Sequence, residues 1–175
     1  MRHSFADSLA RSHAQAEAPW WLDVYRKAFP GLQSAVCVRN DGWAQRGGID
    51  RVLTLSSGKT LTVDEKVREK DYDDILLETW SDIERRQKGW IQKELACDYI
   101  AYAFVPSARC YLLPFQTLRA AWRKNHLNWT ARYRRVEADN GSYTTVSVAV
   151  PIAALMAALV DAIRVDWASN AEASA

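Results

Sequence analysis

The chain has 175 residues, 49% apolar and 25% charged, enough for one domain with a sizeable core and too few for two comfortable ones. That composition excludes a disordered tail, a collagen-like chain and a disulfide scaffold, and a formal charge of +2 excludes a histone-like polycation. Cys37, Cys97 and Cys110 lie far apart, with no CxxC pair and no zinc-ligand spacing; reduced thiols in a cytoplasmic protein are expected.

In chain order, residues 1–18 form a polar start without the apolar core of a signal peptide. Pro19 opens a helix to about Phe29, stopped by Pro30-Gly31, with Trp21, Val24, Tyr25 and Ala28 as its apolar stripe. Gln33 to Val38 reads as a short extended piece, and Asn40-Asp41-Gly42 as a turn. Ile49 to Leu55 and Thr60 to Val67 read as two strands around Ser56-Ser57-Gly58, a favoured hairpin loop. Ile75 to Trp80 reads as a third strand and Ser81 to Lys88 as a loop. Trp90 to Cys97 suits a short helix, and Tyr99 to Val105 and Cys110 to Leu113 suit strands. From Thr117 to Lys124 or beyond a helix is expected, with Leu118, Ala121 and Trp122 on one face. Tyr143 to Val150 is read as the final strand. Pro151 then opens an apolar helix to about Val165, and the tail after Trp167 is weakly ordered. The longest apolar run, Val148 to Val160, is too short to span a bilayer as a helix, so no membrane association is expected. Most of the eight tryptophans belong in a core, leaving some for stacking surfaces.

The hairpin carries the chemistry. A loop of Ser56-Ser57-Gly58 centres the pairing on Ser57, so Asp50 faces Asp64 with Cβ atoms about 5 Å apart. Two carboxylates that close raise each other's pKa unless a cation lies between them. Lys66 follows Asp64 by two residues and shares its face. Two carboxylates and an ammonium on one sheet face suit Mg²⁺ or Mn²⁺ with a lysine acting on a water or a phosphate. A two-residue loop at Ser57-Gly58 would instead pair Asp50 with Glu65. Glu65 lies on the opposite face, among Leu61, Val63 and Val67, and is kept as a further participant. The plain alternative is an exposed ion cluster on a solvated sheet face.

Gly48-Ile49-Asp50 followed at hairpin distance by Val63-Asp64-Glu65-Lys66 resembles the PD-(D/E)XK nuclease superfamily, and within it the small phage or mobile-element nucleases. The resemblance covers roughly residues 19–123. It implies a restriction-endonuclease-like α/β fold, a mixed central sheet flanked by helices with an αβββαβ core. It also implies a Mg²⁺- or Mn²⁺-dependent endonuclease in which Asp50 and Asp64 hold the metal and Lys66 acts on the attacking water or the phosphate. Ile49 stands where the family often has proline. Some members carry a further acid on the first helix, for which only Glu17 and Asp23 are candidates here.

From Tyr99 to Val136 there are no acids but seven basic residues, with Trp122, Trp129 and Tyr133 among them. Basic residues interleaved with aromatics suit a nucleic-acid backbone, so Arg123, Lys124, Arg132, Arg134 and Arg135 are expected to form one surface leading to the acidic pair. The alternative is a solvated helix face. Gln45 and Glu78 are lesser candidates, for a substrate contact and for a strand-end ion pair or the metal site. The expectation is thus one nuclease-like domain over 1–175, acting on DNA rather than RNA and compatible with a homodimer. The rivals are a non-catalytic nucleic-acid-binding module on the same fold and a phage-type protein-interaction domain.

Overall fold

A computed structural model describes residues 18–168. Helix α1 (Trp20–Ala28) leads into β1 (Leu32–Cys37), the short α2 (Gly42–Gly47), β2 (Arg51–Leu55) and β3 (Thr60–Arg68). Strands β4 (Asp74–Asp82) and β5 (Gln87–Lys88) and a 3₁₀ turn (Trp90–Gln92) precede β6 (Tyr99–Phe104) and β7 (Arg109–Pro114). The long α3 (Phe115–Arg132) is followed by β8 (Arg135–Asp139), β9 (Thr144–Pro151), α4 (Ile152–Ala158) and β10 (Ile163–Asp166). Among the described residues, no helix is long and apolar enough to cross a membrane.

The strands form a six-stranded mixed sheet, β1-β2-β3-β6-β7-β10, and a four-stranded antiparallel sheet, β5-β4-β9-β8. In the larger sheet β3 is antiparallel to β2 and parallel to β6. Both faces of this sheet are covered. On one side the α1 stripe, Trp21, Val24 and Tyr25, is buried against Leu53, Val63, Ala101 and Leu112. On the other, Ile100, Tyr102 and Leu113 pack on Ile75, Leu77, Val148 and Val150 of the smaller sheet and on Leu118 and Trp122 of α3. Double coverage explains why β6, YIAYAF, is apolar without alternation.

The mixed α/β class expected from the sequence holds, and several details differ. The strand expected over Ile75–Trp80 forms, but in the smaller sheet; the strand beside the hairpin is β6. The Gln33–Val38 piece is a full strand, so α1, β1, β2 and β3 followed by the parallel β6 make a run of helix, three strands and a returning strand. The crossover carries β4, β5 and the 3₁₀ turn, where Trp90–Cys97 had been expected to form a helix. The Asn40-Asp41-Gly42 turn is the start of α2, because the Asp41 carboxylate accepts from the Trp43 and Ala44 N–H groups at 2.8 and 3.0 Å. The helix after Pro151 stops at Ala158, and the chain returns as β10 along β7. The expected disorder of the ends at 1–18 and 168–175, and the candidate Glu17, fall almost wholly outside the described residues.

Candidate active site

The hairpin register is set by its loop. The Leu55 N–H donates to the Lys59 carbonyl and the Gly58 N–H to the Leu55 carbonyl, both at 2.9 Å. Gly58 sits at φ +81°, a left-handed position that glycine adopts without a Cβ clash. Arg51 pairs with Val63 and Leu53 with Leu61, so the ladder is centred on Ser57, and Asp50, one residue before β2, lies just beyond its last pair and near Asp64. The Asp50 N–H donates to the Val63 carbonyl at 2.8 Å. The three-residue loop is the one that forms, and the alternative pairing of Asp50 with Glu65 does not.

Period two then sorts the side chains. Asp64 and Lys66 lie beside Ile100 and Tyr102 of β6, on the side of the smaller sheet, and Glu65 lies beside Ala101, on the α1 side. Asp50 lies close enough to Asp64 for its charge to raise the Asp64 carboxyl. The Lys66 ammonium donates to both Asp64 oxygens, at 2.6 and 2.8 Å, and sits 5.9 Å from the centre of the Trp90 ring. Burial pushes the Asp64 carboxyl up to about 6; Lys66 opposes this and Asp50 adds to it. Burial works against the Lys66 charge, but Asp64, Asp50 and Glu78 together outweigh it and hold the ammonium above its ordinary range. Asp50 accepts from the Glu65 N–H at 2.7 Å and from Arg39 at 3.1 Å.

Glu65 lies on the opposite face, as expected. Its carboxylate is fully enclosed, accepting from the Tyr25 hydroxyl at 2.7 Å and Arg51 Nε at 2.6 Å. With Arg39 at 3.4 Å, it ties α1 to the sheet from the far face. Its main-chain N–H reaches Asp50 directly, and its carboxylate is linked to Asp50 through Arg39. Asp23 is also set apart: it pairs with Arg26 at 4.0 Å on the outer side of α1.

A cleft of about 490 Å³ opens over the acidic pair and Lys66, walled by Gln45, Arg46, Lys93 and Leu95. Glu78 and Trp90 also line it. Glu78 accepts from the Trp90 N–H at 3.3 Å, and burial raises its carboxyl pKa. Arg39 and Lys93 carry no sequence signal, since each is a lone cation in an unremarkable stretch. Arg39 has a buried Nε without a hydrogen-bond partner among the described residues. Among the described residues no three His, Cys, Asp or Glu side chains converge, so the hard donors are the Asp50 and Asp64 carboxylates.

The five basic residues expected to form one surface are spread out. Arg123 lies 3.8 Å from Glu94, which also pairs with Arg119. Lys124 faces a groove between α3 and α4 with Ala157 and Val160. Arg132 lies over the Tyr133 ring at 5.8 Å. Arg134 pairs with Asp74 at 3.4 Å and Arg135 with Glu137 at 2.6 Å. Arg123 and Arg134 thus meet acids brought from other elements, and Arg135 meets one in its own strand.

Comparison with protein-family models, curated proteins and solved structures finds no match to this chain.

Proposed function

We propose that the protein is a divalent-metal-dependent nuclease that hydrolyses phosphodiester bonds, most readily in DNA. The observation that carries this reading is the neighbouring pair Asp50 and Asp64, with Lys66 bonded to Asp64 on the same strand face, at the floor of a cation-rimmed cleft. The order α1, β1, β2, β3 and parallel β6 resembles a restriction-endonuclease-like αβββαβ core, with β4, β5 and a 3₁₀ turn where that core has its crossover helix.

The donor set fits Mg²⁺ or Mn²⁺. Two hard carboxylates lie side by side, and their proximity, with burial, keeps one of them from ionising easily. Asp50 and Asp64 would hold the ion, which when bound supplies the charge that polarises a phosphate oxygen and acidifies water. The chain's own groups do the rest. Arg39 and the Glu65 N–H fix the Asp50 carboxylate in rotamer and direction. Lys66 presents its protons over the floor of the cleft, where they can orient a water or stabilise charge developing on a phosphate.

One observation favours a second reading, a non-catalytic nucleic-acid-binding module. Lys66 neutralises Asp64 and Arg39 neutralises Asp50 without any ion, so the cluster is already balanced. Titration calorimetry with Mg²⁺ and Mn²⁺ separates the two. The nuclease reading expects binding that Asp64→Asn weakens. It also expects metal-dependent cleavage of supercoiled plasmid or single strands that is abolished by EDTA. Lys66→Ala should keep metal binding and lower the rate about 10²- to 10⁴-fold. Absence of any Mg²⁺- or Mn²⁺-dependent cleavage of DNA or RNA by the wild type defeats the nuclease reading.

A further inference from the structure

The cleft continues past Lys66. A second hollow of about 350 Å³ runs on along β3, lined by Arg68, Tyr102 and Ser147, and it shares Lys66, Glu78 and Trp90 with the first. Asp64, Lys66 and Arg68 alternate along one face of β3, each step about 6.6 Å. That is of the order of the step between successive phosphates of an extended single strand. The described partners of Arg68 are uncharged: it donates to the Tyr102 hydroxyl at 3.2 Å and lies 4.4 Å from the centre of the Tyr72 ring. Its charge is therefore available to an anion in the groove.

Access to this row is from within. The Asp64 side chain is 7% exposed, so a phosphate reaches it only by entering the cleft. A duplex carries its phosphates on a stiff, wide rod, whereas a free strand can bend to lower one into the cleft. At the other end, α2 brings Gln45 and Arg46 into the wall and also carries Trp43, 77% exposed. An open indole face is a stacking platform for an unpaired base.

We propose that the cleft binds an unpaired polynucleotide strand laid along β3, with successive phosphates at Lys66 and Arg68 and a base stacked on Trp43. This rests on the nuclease reading for what occupies the position at Lys66, but its test does not require cleavage.

The experiment is fluorescence anisotropy in EDTA with labelled oligothymidylate, oligouridylate and a mixed-sequence duplex, on wild type and two variants. A single strand should bind more tightly than the duplex, the two single-stranded probes telling DNA from RNA. Arg68→Gln should weaken single-strand binding and flatten the slope of log affinity against log salt by about 0.7. Trp43→Ala, at an exposed position that leaves the fold intact, should weaken it about 10-fold or more with the salt slope unchanged. Equal or tighter binding of the duplex, or single-strand affinity unmoved by both variants, overturns the proposal. Metal-dependent cleavage with duplex preferred would defeat this inference and leave the nuclease reading standing. Single-strand binding with these signatures and no cleavage would do the reverse.

Discussion

Burial, with Asp50 alongside, holds the Asp64 carboxyl near pH 6, well above an ordinary aspartate, despite the Lys66 ion pair. In the metal-free protein this has a definite sign. A carboxyl whose folded-state pKa is raised binds its proton more tightly folded than unfolded. Its contribution to stability is therefore greatest below about pH 4 and falls as pH rises through 6. Asp64→Asn removes the charge and keeps the shape. Its effect on unfolding free energy should become more favourable between pH 4 and pH 8, by on the order of 3 kcal/mol at most. Urea unfolding at the two pH values in EDTA measures this, and a pH-independent effect would show that Asp64 is not held near 6. Saturating Mg²⁺ should reverse the trend in the wild type, because an ion that binds the folded state alone adds stability where the carboxylates are ionised. Cys97 gives a second check at this scale. Burial, with Asp64 adding, raises its thiol to about 12. It should resist alkylation at pH 8 in the folded protein and react only on unfolding.

Along β3, adjacent acids do opposite work because successive side chains point to opposite faces. Glu65→Ala strips a buried partner from Arg51 beneath α1 and should cost up to about 3–5 kcal/mol, the scale for breaking one half of a buried ion pair. The gentler Glu65→Gln should lower the unfolding midpoint while leaving Mg²⁺ affinity close to wild type. A loss of metal binding in Glu65→Gln with stability unchanged would mean the two faces had been assigned the wrong way round. The hairpin was the most legible part of the sequence. Ser56-Ser57-Gly58 dictates a loop, the loop dictates register, and register brings Asp50 to Asp64. The apolar stripe of α1 was equally plain. Other features were decided by contacts far away in the chain. Residues 75–80 are apolar enough for a strand but nothing local says which sheet it joins. Isolated cations such as Arg39 and Lys93 acquire meaning only where the fold sets them at the cleft. The polar β8, RVEAD, has an exposed pattern that no apolar alternation announces, and it forms because β9 offers it an edge.

Across the whole molecule, charge that looks one-sided in the sequence is paired in space. The acid-free stretch borrows Glu94 and Asp74 from other elements, and Arg135 pairs with Glu137 in its own strand. Exposed pairs of this kind contribute about 0–1 kcal/mol each, so they shape the surface potential more than the stability. Reversing Arg134 and Arg135 to glutamate should leave the melting temperature nearly unchanged and alter the salt slope of nucleic-acid binding far less than Arg68→Gln. A larger effect from the double reversal would put the binding surface on β8 and away from the cleft. The parallel pairing of β3 with β6 has a kinetic meaning as well. The β2–β3 hairpin closes over three residues, whereas β6 reaches β3 only after a long excursion that deposits β4 in another sheet. Short loops close early and long ones late, so Asp50 and Asp64 should be juxtaposed before the cleft walls exist. Conservative truncations such as Leu53→Ala should then give high φ-values, and Leu77→Ala and Val148→Ala low ones. The nascent chain would build its charged floor first and roof it last, passing through a stage in which the acidic pair is still open to water and to ions.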